Sequence, residues 1–286
     1  MQNSKKRWNE NMNLETVEIE INKFLSEVKD KAFFDSKGNK LIHRISVGVQ
    51  SANHPIFTKL SNHINGHLNP FDFFRDKFPL ETNKNLSVVS FALHYSKEVV
   101  IGNSKENEYP SYSWFEMTDK FFNEVHEPLS KHIQVIFNNS KLVFPTKSKL
   151  YAINGTEKIR ISNWSERHVA FGCGLGSFGL HGALITEFGC TSRLISIVTD
   201  KEFEKYNIPF NDIYANCLHY QGKDCKLCVE RCPVGSVTLE KRIIENCFDR
   251  EYVKNKGIAL EIYGKEITAC GLCMTGVPCS FTNPPL

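Results

Sequence analysis

Residues 225–233 have the sequence Cys-Lys-Leu-Cys-Val-Glu-Arg-Cys-Pro, and this stretch decides the fold of the C-terminal part of the chain. It belongs to a larger array, because eight of the ten cysteines lie within the last seventy residues. Thiols gathered in a short, turn-rich segment are typical metal ligands, and the start of the chain carries no export signal. The array therefore predicts metal centres rather than disulfides, with these ligands: Cys217, Cys225, Cys228, Cys232, Cys247, Cys270, Cys273 and Cys279.

Two kinds of metal centre use this spacing. Cys-x2-Cys-x3-Cys-Pro is the element with which bacterial ferredoxins hold [4Fe–4S] clusters, and each cluster needs four thiolates. Eight thiolates then correspond to two clusters. The pair Cys225-x2-Cys228 and its counterpart at Cys270 also have a zinc-knuckle spacing, so one or two zinc sites are the alternative. We favour iron–sulfur clusters because the Cys-Pro step with its x3 spacing is typical of ferredoxins.

Spacing alone does not divide the eight cysteines between two clusters. In ferredoxins the cysteine before the proline ligates the other cluster, so the ligand sets cross. This chain departs from that pattern, because Cys217 lies further from Cys225 and because a proline precedes Cys279 rather than following it. The division stays open here. A crossing of the ferredoxin kind would give one set of Cys217, Cys225, Cys228 and Cys279 and another of Cys232, Cys247, Cys270 and Cys273.

Size and composition indicate an ordinary globular protein. The chain has 286 residues, which is enough for one large and one small domain, and we predict domains at 1–205 and 206–286. The net charge is +3 and the basic residues are spread out, so we expect no DNA binding. No apolar run is long enough to span a membrane. Ten cysteines without an export signal favour a reducing cytoplasm.

Hydrophobic periodicity predicts the main elements of the first domain. Apolar positions at helical spacing predict a helix over residues 14–30. Runs rich in β-branched residues predict strands over 42–49, 86–93 and 193–198, and Arg193 is predicted to be an ordinary strand residue.

Three further helices are predicted from local signals. Ser113-x-x-Glu116 has the form of a capping box that opens a helix, and Pro128 is predicted to interrupt that helix. Residues 162–185 are predicted to form a helix, a glycine turn and a second helix.

That glycine turn contains Gly174-x-Gly176-x-x-Gly179, the spacing of a dinucleotide-binding fingerprint. The fingerprint requires a preceding strand, and residues 163–173 are predicted to be helical, so nicotinamide binding is not favoured. The glycines still allow close approach of the backbone to a flat ligand, or a tight turn between two elements.

Polar and thiol side chains flank the glycines. Arg167 could hold a carboxylate, an amide or a phosphate. His168 and His181 could donate hydrogen bonds to a cofactor, and a structural role is equally compatible with the sequence. Cys173 and Cys190 fall outside the array and are predicted to be buried, inert thiols.

Residues 163–186 are followed by an apolar strand that ends in Thr-Asp at position 200. Their sequence is Asn-Trp-Ser-Glu-Arg-His-Val-Ala-Phe-Gly-Cys-Gly-Leu-Gly-Ser-Phe-Gly-Leu-His-Gly-Ala-Leu-Ile-Thr. With the cysteine array, this segment resembles the superfamily of epoxyqueuosine reductase and the corrinoid-dependent reductive dehalogenases, over about residues 86–280. The resemblance implies an α+β fold, in which a nitroreductase-like α/β cofactor-binding domain precedes a small ferredoxin-like domain with two [4Fe–4S] clusters.

The resemblance also implies a cofactor and its contacts. The first domain would bind base-off cobalamin, and the Cys232 cluster would be a one-electron relay to it. Six residues would contact the corrinoid, the glycines by close backbone approach and the others through the macrocycle amides: Arg167, His168, Gly174, Gly176, Gly179 and His181. Epoxyqueuosine reductases carry a catalytic Asp before the glycine segment. This chain has Arg160 at that position and no Asp from 150 to 199, so its substrate is expected to differ.

We therefore expect an iron–sulfur oxidoreductase that reduces a small-molecule or nucleoside-type substrate. Electrons would come from a donor such as ferredoxin or flavodoxin and pass through two clusters to a corrinoid site. No catalytic residue is assigned, although Tyr95 and Tyr109 are among the proton donors that the sequence offers. The alternative from another class is a non-catalytic iron–sulfur electron-transfer protein without cobalamin.

Overall fold

A computed structural model describes most of the chain, in these ranges: 13–64, 66–82, 85–145, 150–152, 160–207, 210–240 and 242–284. The strands in these ranges are β1 (Ile42–Ser51), β2 (Ser87–Tyr95), β3 (Leu142–Val143), β4 (Leu150–Ala152), β5 (Arg160–Ser162), β6 (Gly176–Phe178), β7 (Leu184–Thr186) and β8 (Ser192–Thr199). The helices are α1 (Leu14–Glu27), α2 (Pro55–His63), α3 (Pro70–Lys77), α4 (Lys97–Ser104), α5 (Tyr112–Lys120), α6 (His126–Ile136), α7 (Glu166–Gly172), α8 (Leu227–Glu230), α9 (Ile244–Phe248) and α10 (Asn255–Tyr263).

The centre of the fold is a four-stranded antiparallel sheet in the order β1-β2-β8-β3. Its three long strands are the three that the sequence predicts. Every residue of β2 is buried, as expected of a strand with neighbours on both edges and helices on both faces. Helices together with an antiparallel sheet confirm the mixed α and β character of the chain.

Alternate residues of the sheet pack against two different helical layers. One face of the sheet, with Phe91 and Ile195, forms a core with α1 and with the helices α4, α5 and α6. The other face, with Val88 and Val198, packs against α2, α3 and α7. The first core also contains Ala259, Ile267 and Ala269, so the C-terminal part packs into the same apolar cluster as the sheet. The domain boundary near 205 stays a prediction.

The second predicted helix of residues 162–185 is wrong, because α7 is followed by the β-hairpin β6–β7. Gly176 lies opposite Thr186 in this hairpin, and a Cβ at Gly176 would meet the carbonyl of Ile185. Because it has no side chain, Gly176 lets the two strands approach closely. Helical periodicity in the sequence does not detect such a strand pairing.

The predicted capping box is also wrong in its position. Ser111 is the N-cap of α5, and its Oγ accepts a hydrogen bond from the backbone N–H of Trp114 at 3.3 Å. The carboxylate of Glu116 accepts hydrogen bonds from Ser36 instead, so it is not free to cap the helix.

Pro128 does not end the helical segment, contrary to the prediction. A π-helical turn, Phe121–Val125, joins α5 to α6, and Pro128 lies in the first turn of α6. Proline has no N–H and crowds the carbonyl four residues earlier, which here belongs to Glu124. Glu124 lies in the π-helical turn, where the α-helical hydrogen-bond pattern is already interrupted, so the proline is accommodated. Within the described ranges, no helix has the length and apolar character needed to cross a membrane.

We expect Ser111→Ala to lower the stability of the protein by about 1 kcal/mol, because the N-cap hydroxyl accepts a hydrogen bond from a backbone N–H of the first helical turn. Ser113→Ala is the matched control and should have a smaller effect, since Ser113 lies within the helix. Thermal denaturation of both variants under anaerobic conditions measures the difference, and a larger effect at Ser113 would contradict the assignment of the cap.

Candidate functional site

Four of the predicted ligands line one large cavity. They come from the end of α8, from α9 and from the turn after α10, and the cavity has a volume of about 350 Å³. A volume of this size is in the range of small-molecule sites, which is about 300–1,000 Å³. These four residues are Cys232, Cys247, Cys270 and Cys273.

The turn that carries Cys270 and Cys273 is shaped by the first half of the chain. Gly271 has a φ of 70°, which favours glycine, and the indole of Trp114 packs where a Cβ would lie. The side-chain amide of Asn103 donates to the carbonyl of Cys270 at 3.4 Å and to Thr275 Oγ1 at 3.2 Å. Two helices, α4 and α5, therefore fix the ligand turn.

The other four predicted ligands line a second, small cavity of about 20 Å³. Its remaining walls are mostly apolar and include Leu180, Ile185 and Val277. Residues 221–224, which precede Cys225, are all exposed. The four cysteines are Cys217, Cys225, Cys228 and Cys279.

The structure thus brings the eight cysteines together in two groups of four, with the same membership as a ferredoxin-like crossing. Burial raises the pKa of Cys228 to about 12 and that of Cys270 to about 11, and neighbouring thiols add to both shifts. Bound metal reverses such shifts, because its positive charge stabilises the thiolates. The donor sets therefore fit two four-thiolate clusters, and the ligand assignment itself stays a prediction.

Cys279 differs from the other thiols of the small cavity. The Sγ atom of Cys190 lies 3.9 Å from its Sγ, and His181 Nε2 lies 3.3 Å from it. The hydrogen bond from Cys190, followed by the one from His181, holds the pKa of Cys279 below its usual range. Cys190 is buried as predicted, but it contacts a candidate ligand and is not isolated.

The glycines of the 174–179 segment face the protein itself. Gly174 has a φ of 72° and follows the end of α7, and Gly176 lies against the neighbouring strand of its hairpin. A Cβ at Gly179 would lie 2.7 Å from the imidazole of His181, so this glycine makes room for the histidine. The close approach that these glycines permit is therefore used within the hairpin and its turn.

The polar residues expected to contact the corrinoid are also separated. Arg167 lines the large cavity and donates to the carbonyl of Gly182 at 3.1 Å. His181 lines both cavities. His168 lies instead against Phe178 and forms a 2.7 Å hydrogen bond with Ser165. Of the six residues that the resemblance assigns to a corrinoid, the large cavity contains Arg167 and His181. The corrinoid contacts that the resemblance implies stay a prediction.

Charged residues that the sequence did not single out also line the large cavity. Arg242 Nη2 donates to Cys247 Sγ at 2.7 Å. Arg250 is 6% exposed and stacks on Tyr109, with 4.5 Å between its Cζ atom and the ring centroid. Arg193, predicted to be an ordinary strand residue, lies over the Phe122 ring at 4.7 Å. These guanidinium groups give one side of the cavity a positive charge.

Glu166 is the other unexpected residue of this cavity. Neither of its carboxyl oxygens has hydrogen-bond geometry to a described residue, although Ser196 and Trp164 are its polar neighbours. Burial raises the pKa of Glu166 from 4.5 to about 8, against the opposing effect of those neighbours. The carboxyl group is therefore largely protonated at neutral pH and can hold a proton for a bound molecule.

Aromatic rings form much of the remaining wall of the large cavity. Tyr95 is 3% exposed, and burial raises the pKa of its hydroxyl. Several aromatic rings in one wall exclude water, and the lower dielectric strengthens the electrostatic effect of the arginines. The aromatic residues of the wall are Tyr95, Trp114, Phe121, Phe122 and Trp164.

Comparison with known proteins identifies similar folds. No protein-family model matches the chain, and no curated protein sequence matches it. The chain is similar to solved structures of epoxyqueuosine reductase and of a catabolic reductive dehalogenase. One epoxyqueuosine reductase is 16% identical, with a TM-score of 0.44, over 91% of this chain and 64% of its own. The enzyme from Bacillus subtilis is 15% identical, with a TM-score of 0.38, over 81% of this chain and 55% of its own.

The dehalogenase is 16% identical, with a TM-score of 0.47, over 81% of this chain and 29% of its own. The chain thus spans less than two-thirds of the length of each of these proteins.

We expect Glu166→Gln to flatten the dependence of stability on pH. The folded protein retains the Glu166 proton up to a pKa of about 8, whereas the unfolded chain releases it near 4.5, so the stability contributed by this group falls as the pH rises between these values. Gln cannot ionise, so the variant should gain thermal stability relative to the unmodified protein as the pH rises. Glu187→Gln is the control, because Glu187 is exposed. Parallel pH profiles for Glu166→Gln and the unmodified protein would contradict this assignment.

Proposed function

We propose that this chain is an iron–sulfur oxidoreductase that reduces a small molecule bound in the large cavity. One observation carries the proposal: the thiols of Cys232, Cys247, Cys270 and Cys273 line the same cavity as Glu166 and the arginines. A redox centre held by these thiols would lie next to a ligand-sized space that contains a proton-holding group. A protein that only carries electrons needs no such space beside its cluster.

When bound, the two [4Fe–4S] clusters supply one-electron transfer. On this proposal a nitroreductase-like domain is followed by a ferredoxin-like module, and the module contains the eight cluster ligands. Cys225 follows the exposed residues 221–224, so on this proposal an external donor such as ferredoxin or flavodoxin docks there and delivers electrons to the small-cavity ligands. The large-cavity ligands lie next to the substrate space.

The side chains of the large cavity have separate roles in this proposal. Arg193 and Arg250 orient a polar group of the substrate, since a guanidinium group offers several donors in a fixed plane. Glu166 holds a proton at its carboxyl group and delivers it to the reduced substrate. The aromatic wall excludes water from the space around them.

The corrinoid that the resemblance implies is not assigned a role here. Gly176 and Gly179 pack against their own hairpin, and His168 lies outside the large cavity. We therefore assign the reaction to the cluster ligands and to the side chains of the large cavity, and cobalt content is a separate measurement in the experiment below.

The experiment is metal analysis after anaerobic purification and reconstitution with iron and sulfide. We expect about eight irons per chain, because each of two clusters contains four. Cys228→Ser and Cys273→Ser should each lose about four of them, since each variant removes a ligand from a different group. Cys173→Ala is the control and should keep the full iron content, because Cys173 lies in the apolar core behind the sheet.

Three results would overturn parts of this proposal. Zinc without iron, in a colourless sample, would establish the zinc alternative. Full iron content in Cys228→Ser would contradict the ligand assignment. Stoichiometric cobalt uptake after incubation with cobalamin, with the spectrum of the base-off form, would restore the corrinoid to the reaction.

A further inference from the structure

His181 lies between the two groups of cysteines. It is the residue in the turn of the β6–β7 hairpin whose side chain lines both the small and the large cavity, and it is 2% exposed. A buried histidine needs partners for both ring nitrogens. The partners of this one determine what it does.

The hydrogen bonds of His181 fix its tautomer. The backbone N–H of Ala183 donates to Nδ1 at 3.0 Å, so Nδ1 carries the lone pair. In the neutral ring the hydrogen is then on Nε2, which lies 3.3 Å from the Sγ atom of Cys279. The ring is held in this position because Gly179 has no side chain to displace it. His181 is thus built to donate an N–H···S hydrogen bond to a candidate cluster ligand.

The large-cavity group has stronger donors on its sulfur atoms. Arg242 Nη2 lies 2.7 Å from Cys247 Sγ, and the backbone N–H of Ser236 donates to Cys232 Sγ at 3.2 Å. A donor that carries a positive charge stabilises a thiolate more than a neutral one does. Hydrogen bonds to the sulfur atoms are among the features that set the potential of an iron–sulfur cluster, because they stabilise its more negative, reduced state.

We propose that His181 and Arg242 set the reduction potentials of the two clusters. The cluster of the large cavity then has the higher potential, so electrons flow to it from the small cavity. His181 raises the potential of the Cys279 cluster enough for it to accept an electron from the external donor. Arg242 raises that of the Cys247 cluster further. One electron leaves the first cluster and reduces the second, and no bond is made or broken. This inference rests on the proposed function, since it needs both clusters.

The test is a potentiometric titration of the reconstituted protein, followed by the electron paramagnetic resonance of the reduced clusters. His181→Phe keeps a ring but removes the donor. We expect it to disfavour reduction of one cluster about tenfold, because the lost hydrogen bond is stronger to the more negative, reduced cluster than to the oxidised one. For a one-electron couple, tenfold is about 59 mV towards negative potential. The other cluster should be unchanged.

Conservative variants separate this role from simple packing. His181→Gln keeps an N–H donor near the position of Nε2 and should have a potential close to that of the unmodified protein. His181→Asn is too short to reach Cys279 and should resemble His181→Phe. Arg242→Met should lower the potential of the other cluster alone, and Arg242→Lys should restore part of the loss because it keeps a charged donor.

Each failure has a different meaning. An unmodified protein without two clusters would overturn both the proposed function and this inference. Two clusters whose potentials are unchanged in His181→Phe and His181→Asn would overturn the inference alone. His181, Cys190 and Cys279 also have ligand atoms within 4.8 Å of one another. If Cys190→Ala lost one non-cluster metal ion, His181 would be a ligand rather than a donor, and the inference would be wrong.

Discussion

Eight buried or half-buried thiols in one small region are the constraint on which the rest of this structure depends. Burial raises the pKa of four of them, Cys225, Cys228, Cys270 and Cys273, and a bound cation would offset this effect by stabilising the thiolates. The surrounding protein is arranged to hold them in place. Asn103 and Trp114 fix the turn at Gly271, and Arg242 supplies a positive charge beside Cys247.

The β6–β7 hairpin and the residues beside it contact both groups of cysteines. Its turn brings His181 to Cys279, and the segment after it brings Cys190 to the same sulfur atom. The helix before it, α7, presents Glu166 and Arg167 to the large cavity. A short stretch of the first half therefore contributes to both cysteine groups. Within it, Gly176 and Gly179 have no room for a Cβ, because the backbone of Ile185 and the ring of His181 lie there.

The features that could be predicted from the sequence are those that depend on residues close together in the chain. Strand β2 and the Cys225–Cys232 spacing depend on neighbouring residues, and both are recognisable in the printed sequence. The contact of Cys190 with Cys279 joins residues far apart in the chain, so no spacing indicates it. The burial of Glu166 and of Arg250 likewise depends on which elements enclose them, and sequence patterns alone treat both as ordinary surface charges.

The position of Trp114 has a consequence for how the protein matures. Its indole belongs to α5, and it fills the space over the turn that carries Cys270 and Cys273. Synthesis completes α4 and α5 long before those two cysteines are made. The residues that shape the last ligand turn are therefore made before the turn itself, and metal can be captured there only after the end of the chain has been synthesised.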